Sequence, residues 1–402
     1  MANTLTAILP KILARGLLTL RERAVAPRIV NLDYSTEAAM AGSTIDVPIP
    51  SAVAATDVTA SNTPPAPGDT TMNTTQISLN KWKKSTPFHL TDKDMVELDE
   101  NRHFVPMQID EAIRGLANQV NDDVFGEYKN VYNCAEIPSS GSIFSDVSQI
   151  THARRLLNSE NASPDNRRLV SNFVGEDAML NLSGITAFNE VGGASGDAPR
   201  ISGEFGNRFG FDLFADDSVP YHTTTATGTP LIDNGSGYSA GATAIHADGF
   251  TATPVVGDVI KIEQGGSTGD KFYTITAVSG YSSGDVDLTI NNGGSVNGGL
   301  AAAVADNKAL KMVPSHQVNL AFHRDAFALA TRPLLAQTDE YDGLNSNMMS
   351  MTDPVTGLSL RLEVNRQYKQ VAWEFDILYG VKLVRPELAV RCVDAAFAAT
   401  LS

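Results

Sequence analysis

The chain has 402 residues, beyond the ~250 to 300 at which a single core stops growing, so two or more domains, or one domain with a large insertion, are expected. Hydrophobic residues make up 42% and charged ones 19%, which excludes global disorder and allows real cores. A formal charge of -16, from 30 Lys+Arg against 46 Asp+Glu, excludes a protein that grips nucleic acid by displacing counterions at many phosphates.

At the N-terminus Leu5, Ile8, Leu9, Ile12, Leu13, Leu17 and Leu20 are apolar at helical spacing. Pro10, Lys11 and Arg15 interrupt them before a signal-peptide core or membrane span can form, so no export and no membrane anchoring is expected. Residues 1–30 carry Lys11, Arg15, Arg21, Arg23 and Arg28 against Glu22 alone, a basic amphipathic arm on an acidic protein. Such an arm suits an acidic partner surface or docks on its own domain; Arg15, Arg21, Arg23 and Arg28 are its candidate contacts.

Two-residue alternation at Ile45, Val47 and Ile49, and again around Ile77, Leu79 and Trp82, predicts two strands. Residues 57–76 between them, with Pro64, Pro65, Pro67 and Gly68, form a polar tip. The unit reads as a long hairpin that draws its stability from another subunit. Lys81, Lys83 and Lys84 around Trp82 read as contact residues that meet acidic groups of a neighbour, rather than as a nucleic-acid patch.

A short helix at 92–99 capped by Thr91 precedes the strongest pattern in the chain. Ile109, Ile113, Leu116, Val120, Val124, Tyr128 and Val131 recur at three- and four-residue steps, predicting one long amphipathic helix at 106–132. Helical patterns at 147–157 and 176–188 flank a strand at 168–173. Gly192, Gly193 and Gly196 follow no strand and precede no GK[ST], which excludes a phosphate loop.

Residues 221–313 change character, holding 15 of the 32 glycines, no Arg and no Trp. Short β runs at 255–263, 271–278, 286–290 and 309–313, separated by Gly, Ser and Asn turns, predict a small sandwich or barrel inserted into a domain that continues on both sides. A helical pattern is expected at 318–331, and strands at 358–364, 371–375, 382–384 and 388–393, forming a late sheet against the long helix.

Candidate chemistry is sparse. Cys134 and Cys392 are too few for a disulfide framework and too isolated for zinc, and read as inert thiols. His323-Arg324-Asp325 matches the start of a kinase catalytic loop, but Ala330 stands where the metal-binding Asn is needed and no Asp-Phe-Gly follows. His89, His103, His152, His222, His246 and His316 show no ligand spacing, and no Gly-x-Ser-x-Gly elbow is present. No catalytic residue, cofactor or metal is expected.

The element order, the string 318–333 (VNLAFHRDAFALATRP), the motif Asp353-Pro354 through Gly357-Leu358-Ser359-Leu360-Arg361, and Asp376-Ile377-Leu378-Tyr379-Gly380-Val381-Lys382 with Arg385-Pro386-Glu387 resemble the major capsid proteins of tailed phages, the Johnson fold. The resemblance implies an α+β subunit. Its parts would be an N-terminal arm (1–40), an extended hairpin loop (41–90), a peripheral domain with the spine helix (91–145), an axial domain (146–220 and 314–345), an inserted β-barrel (221–313) and peripheral C-terminal strands (346–402). The insert, through Gly257-Asp258-Val259-Ile260-Lys261-Ile262 and Phe272-Tyr273-Thr274-Ile275, resembles that of one podovirus coat subfamily.

The resemblance further implies pentamers and hexamers in a virion shell made in the host bacterial cytoplasm. Scaffolding, portal and decoration proteins would be partners, and the shell would enclose DNA without sequence-specific binding. Arg332 and Arg385, beside Pro in the quoted strings, are further contact candidates. The rival reading is an adhesion protein using the insert as a ligand module, for which Tyr221, Tyr238, Phe250, Phe272, Tyr273 and Tyr281 are the available aromatics.

Overall fold

A computed structural model describes residues 13, 16, 25–34, 44–49, 57–58, 60, 73–93, 107–135, 143–182, 206–264, 271–291, 299–334, 346–353 and 356–393. Most of the arm, the hairpin tip at 61–72, the expected helix at 92–99 beyond Lys93, Gly192, Gly193 and Gly196, and residues 335–345 lie outside the described residues.

Helix α1 (Ala26–Ile29) carries Pro27 in its first turn, where a missing N–H costs nothing. Strands β1 (Thr44–Ile49) and β2 (Asn73–Ser78) pair antiparallel, from Thr44 opposite Ser78 to Ile49 opposite Asn73. After β3 (Lys81–Lys84) and β4 (Phe88–Thr91) comes helix α2 (Met107–Phe125), which buries Ile109, Ile113, Leu116, Val120 and Val124 along one stripe. The predicted helix at 106–132 therefore ends at Phe125 and tightens into a 3-10 segment at Gly126–Asn130.

Next follow β5 (Cys134–Ala135), α3 (Val147–Ser159), β6 (Arg167–Ser171), α4 (Phe173–Leu180), β7 (Asn207–Arg208) and β8 (Phe211–Ala215). Asp146 and Asn172 cap α3 and α4 by accepting from the N–H groups of Ser148 and Gly175. The inserted stretch contributes β9 (Tyr221–His222), β10 (Gly228–Ile232), β11 (Ala244–Phe250), β12 (Val259–Ile262), β13 (Lys271–Ser282), β14 (Asp285–Asn291) and β15 (Leu310–Met312), and β16 (His316–Gln317) follows just past its end. The chain closes with β17 (Asn319–His323), β18 (Phe327–Thr331), β19 (Ser346–Thr352), β20 (Ser359–Gln367), β21 (Gln370–Leu383) and β22 (Ala389–Cys392).

Three six-stranded sheets organise most of these strands, beside the two-stranded pairs β1–β2 and β9–β16. In the first, β21 is central: β20 and then β19 lie along one edge, which β18 continues, while β3 and β4 pair with the other edge. Leu360, Leu362, Phe375 and Ile377 join the stripe of α2 in the main core. The second sheet runs β5-β22-β17-β6-β8-β7, and α3 packs against it. In the third, β10-β11-β14-β13-β12-β15, all neighbours are antiparallel. Its outermost strands meet where Ile232 N–H donates to Lys308 O at 2.9 Å and Asn307 N–H donates to Ile232 O at 2.8 Å, so the sheet closes on itself. It surrounds its own core of Ile245, Ile260, Tyr273, Ile275 and Leu288.

Three expectations change. Residues 318–331 are not helical but form β17, a 3-10 turn at Arg324–Ala326 and β18. Both strands are buried along their whole length, and a continuous apolar run has no alternation to mark it as β. Residues 388–393 do not complete the sheet over α2: β22 pairs with β17 and β5 in the second sheet. Residues 382–384 hold no separate strand, since β21 runs to Leu383.

The base of the β1–β2 hairpin is also anchored within its own chain. Ile45, Val47, Ile77 and Leu79 pack on Ala328, Ala330 and Val384, so β18 is covered by the hairpin on one face and by the main core on the other. The second hairpin leg enters the large sheet from Lys81 onward rather than continuing to residue 90 as hairpin.

Candidate assembly surfaces and the insert joint

On β3 alternate residues face opposite ways, which splits the candidate contact group. Lys81 and Lys83 turn to the helix side, where Lys81 Nζ lies 3.0 Å and Lys83 Nζ 4.0 Å from the Asp123 carboxylate of α2. Trp82 and Lys84 occupy the opposite face. Lys84 pairs with Glu374 at 3.0 Å, and Trp82 Nε1–H donates to Asp376 at 2.8 Å. Asp376 also accepts from Arg361 Nε at 2.9 Å and from its Nη2, a bidentate pair whose guanidinium lies 5.9 Å from the Trp82 ring centre. The acidic partners of all three lysines are thus in the same chain. Trp82, held in place from below and 63% exposed, is the one member of the group that presents a large apolar surface outward.

Arg385 donates to Glu387 at 2.8 Å, an internal brace, and Arg332 is half-buried just past the end of β18. The carbonyl of Arg28 accepts from Arg168, while Arg15, Arg21 and Arg23 lie outside the described residues. His323-Arg324-Asp325 has a structural role. His323 Nδ1 accepts from Asp325 N–H to cap the 3-10 turn, Asp325 accepts from Asn31 at 2.8 Å, and Arg324 reaches Asp33 at 3.2 Å, so the triplet fastens the arm to β18.

Cys134 and Cys392 are buried thiols outside any disulfide, and burial pushes the Cys392 thiol well above its ordinary range. Among the described residues no group of three or more His, Cys, Asp or Glu is placed to hold a metal, and no helix is long and apolar enough to cross a membrane.

The aromatics of the insert make no ligand platform. Phe250 and Tyr273 are core residues, Tyr238 packs against that core while its hydroxyl accepts from His246 N–H, and Phe272 packs on a cluster at the joint. Among the six, Tyr221 and Tyr281 are exposed.

Sequence reasoning missed a buried polar cluster, which sits where the insert meets the body. The incoming strand β9 pairs with the outgoing strand β16, Tyr221 opposite Gln317 and His222 opposite His316. Asp258 is fully buried and, as a carboxylate, only accepts: from His222 Nε2 at 2.7 Å, Thr224 Oγ1 at 2.8 Å and Val255 N–H at 2.7 Å. With Nε2 donating, His222 Nδ1 is left to accept from the Tyr128 hydroxyl at 2.9 Å, which reaches over from the end of the spine helix.

Arg391 of β22 enters the same cluster fully buried. Its Nη1 donates to Gly257 O at 2.8 Å and its guanidinium lies 5.0 Å from the Tyr128 ring centre. His316 is buried beside them, and burial, followed by the Arg391 charge, holds it down to about 3, so it is neutral. Around this centre Thr274 Oγ1 donates to Lys129 O at 2.6 Å, and Val259 and Val313 of the insert pack on Cys134 and Val393 of the body.

No protein-family model matches the sequence, and no curated protein matches it. Among solved structures, the chain is similar to one from Mycobacterium phage Che8, at 13% identity over 93% of this chain and 92% of that one, with a TM-score of 0.48. It is similar to a chain of the capsid structure of the cyanophage P-SCSP1u at 11% identity, over 92% of this chain and 87% of that one, with a TM-score of 0.45. A virus-like particle from Pyrococcus furiosus matches at 9% identity over 95% and 98% of the two chains, with a TM-score of 0.41.

Proposed function

We propose that this chain is the major capsid protein of a tailed phage, assembling in pentamers and hexamers into the icosahedral head shell. The observation that carries the reading is the order and placement of its parts. An arm, a hairpin and a spine helix precede a second sheet with an inserted closed sheet, and the C-terminal strands return to cover the spine helix. The strings that resemble shell subunits occupy the seam of this body: 318–333 forms β17 and β18, which join the two large sheets, and 376–387 forms the far half of β21 and its exit turn.

Such a subunit works by contact and requires no chemistry of its own. A net charge of -16 suits a wall that surrounds DNA without gripping it. Closed symmetry built from many interfaces, each of modest affinity, lets assembly correct errors and still yields a stable shell. Scaffolding, portal and decoration proteins are partners within this reading, and the virion is its location. The adhesion alternative loses its footing with the burial of Phe250 and Tyr273.

The test is negative-stain microscopy of the purified full-length protein beside size-exclusion chromatography. Closed shells or angular polyheads of uniform curvature are expected. A protein that stays monomeric at high concentration and with a candidate scaffold rules the reading out.

A further inference from the structure

The joint contains buried polar atoms that the protein itself leaves without partners. Arg391 is fully buried, yet among the described residues only Nη1 finds an acceptor, at Gly257 O, while Nε and Nη2 find none. His316 is equally buried. Its Nδ1 faces the Pro314 carbonyl at 2.7 Å, and a carbonyl only accepts, so Nδ1 carries the proton. Nε2 is then a bare acceptor, and it too has no hydrogen-bond partner among the described residues. A buried polar group left without a partner is costly, so a chain that buries several in one place is matched to something that satisfies them.

These groups belong to one cluster. The His316 and His222 rings are 5.5 Å apart, the His222 and Tyr128 rings 5.6 Å apart, and Arg391 lies over Tyr128. The chemistry of the lining selects the occupant. An anion would meet the Asp258 carboxylate and the lone pair of His316, and a cation would meet Arg391. A small neutral molecule that accepts from a guanidinium and donates to an imidazole nitrogen fits both ends.

We propose that the joint of the insert holds a buried structural water that accepts from Arg391 and donates to His316 Nε2. Arg391 then fastens the body strand β22 to the insert twice, directly at the loop carbonyl of Gly257 and through water at the outgoing strand β16. The proposal concerns one chain and does not depend on shell assembly.

The test is a high-resolution density map of the full-length protein, assembled or not, in chloride and in bromide buffer. A peak within about 2.6–3.2 Å of Arg391 Nε or Nη2 and of His316 Nε2, unchanged in bromide, is expected. A peak that strengthens with bromide, or no peak with the guanidinium bonded directly to His316, overturns the proposal. Two variants add a solution readout, the rate of limited proteolysis within the insert. His316→Gln keeps a donor for Pro314 and an acceptor for the water and stays within about twofold of wild type, whereas His316→Leu is cut roughly tenfold faster. Equal rates for the two variants overturn it as well.

Discussion

Tyr379 of β21 donates its hydroxyl to Asp123 of the spine helix at 2.6 Å, and the same carboxylate receives Lys81 from β3. Burial, then the bond to Asp123, pushes the Tyr379 hydroxyl well above its ordinary range, so it remains a donor at any pH the fold survives. Helix, central strand and edge strand thus meet at one carboxylate. Tyr379→Phe removes one bond and is expected to cost about 1 kcal/mol in urea denaturation. Asp123→Ala leaves the hydroxyl and a lysine without their acceptor and costs about 2–3 kcal/mol.

Gly380, the next residue on β21, lies where the hairpin crosses the sheet. A Cβ there would stand 2.4 Å from Ser78 O and 2.9 Å from Ser78 C, both backbone atoms that cannot swing aside. Gly380→Ala is expected to destabilise the subunit by about 1–3 kcal/mol and to accelerate proteolysis at the β2–β3 connection. A variant as stable and protease-resistant as wild type would show that the crossing has slack.

Acid should loosen the joint of the insert through His316. Its folded value of about 3 lies below the ordinary 6.5, so the folded state binds fewer protons than the unfolded one between those values. Stability is then full above about pH 6.5 and falls as pH drops toward 3, by about 5 kcal/mol at the acid limit. The groups facing His316 are Arg391, His222, Asp258 and the Pro314 carbonyl. Denaturation midpoints of wild type and His316→Gln, measured from pH 7 to 4, should diverge, with the variant the flatter. Parallel curves refute the assignment.

Trp82 separates assembly from folding. Its ring is mostly exposed, so Trp82→Ala sacrifices little core; losing the bond to Asp376 costs about 1 kcal/mol of subunit stability. If the ring is an anchor between copies, the variant shifts toward small species in sedimentation velocity by far more than that loss explains. Particles of unchanged yield would confine Trp82 to covering the Arg361–Asp376 pair.

The sequence announced the elements with a clear period and hid the others. The stripe from Ile109 to Val124 has one wet face, and so does β14, whose residues alternate exposed and buried; both were legible. Phe327–Thr331 was not, because hairpin and core cover both of its faces and erase the alternation. Val390 and Cys392 looked like the end of one sheet and belong to another, since nothing local records which neighbour a buried strand chooses. Among the candidate contacts, the lysines of β3 meet acids of their own chain, Asp123 and Glu374, which lie far away in sequence and carry no local signal. The joint was invisible for a related reason: His222, Asp258, His316 and Arg391 are far apart in sequence, and each alone is unremarkable.

The pairing of β9 with β16 also bears on how the chain folds. With β6 and β8 already paired, the chain leaves that sheet at Ala215 and β17 returns to the other edge of β6 from Asn319, a gap of about a hundred residues. Once the insert has closed and His222 lies opposite His316, the effective gap falls to roughly ten, which lowers the entropic cost of that search by about 2 kcal/mol. A domain that lengthens the polypeptide in this way need not lengthen the journey of the strands on either side of it.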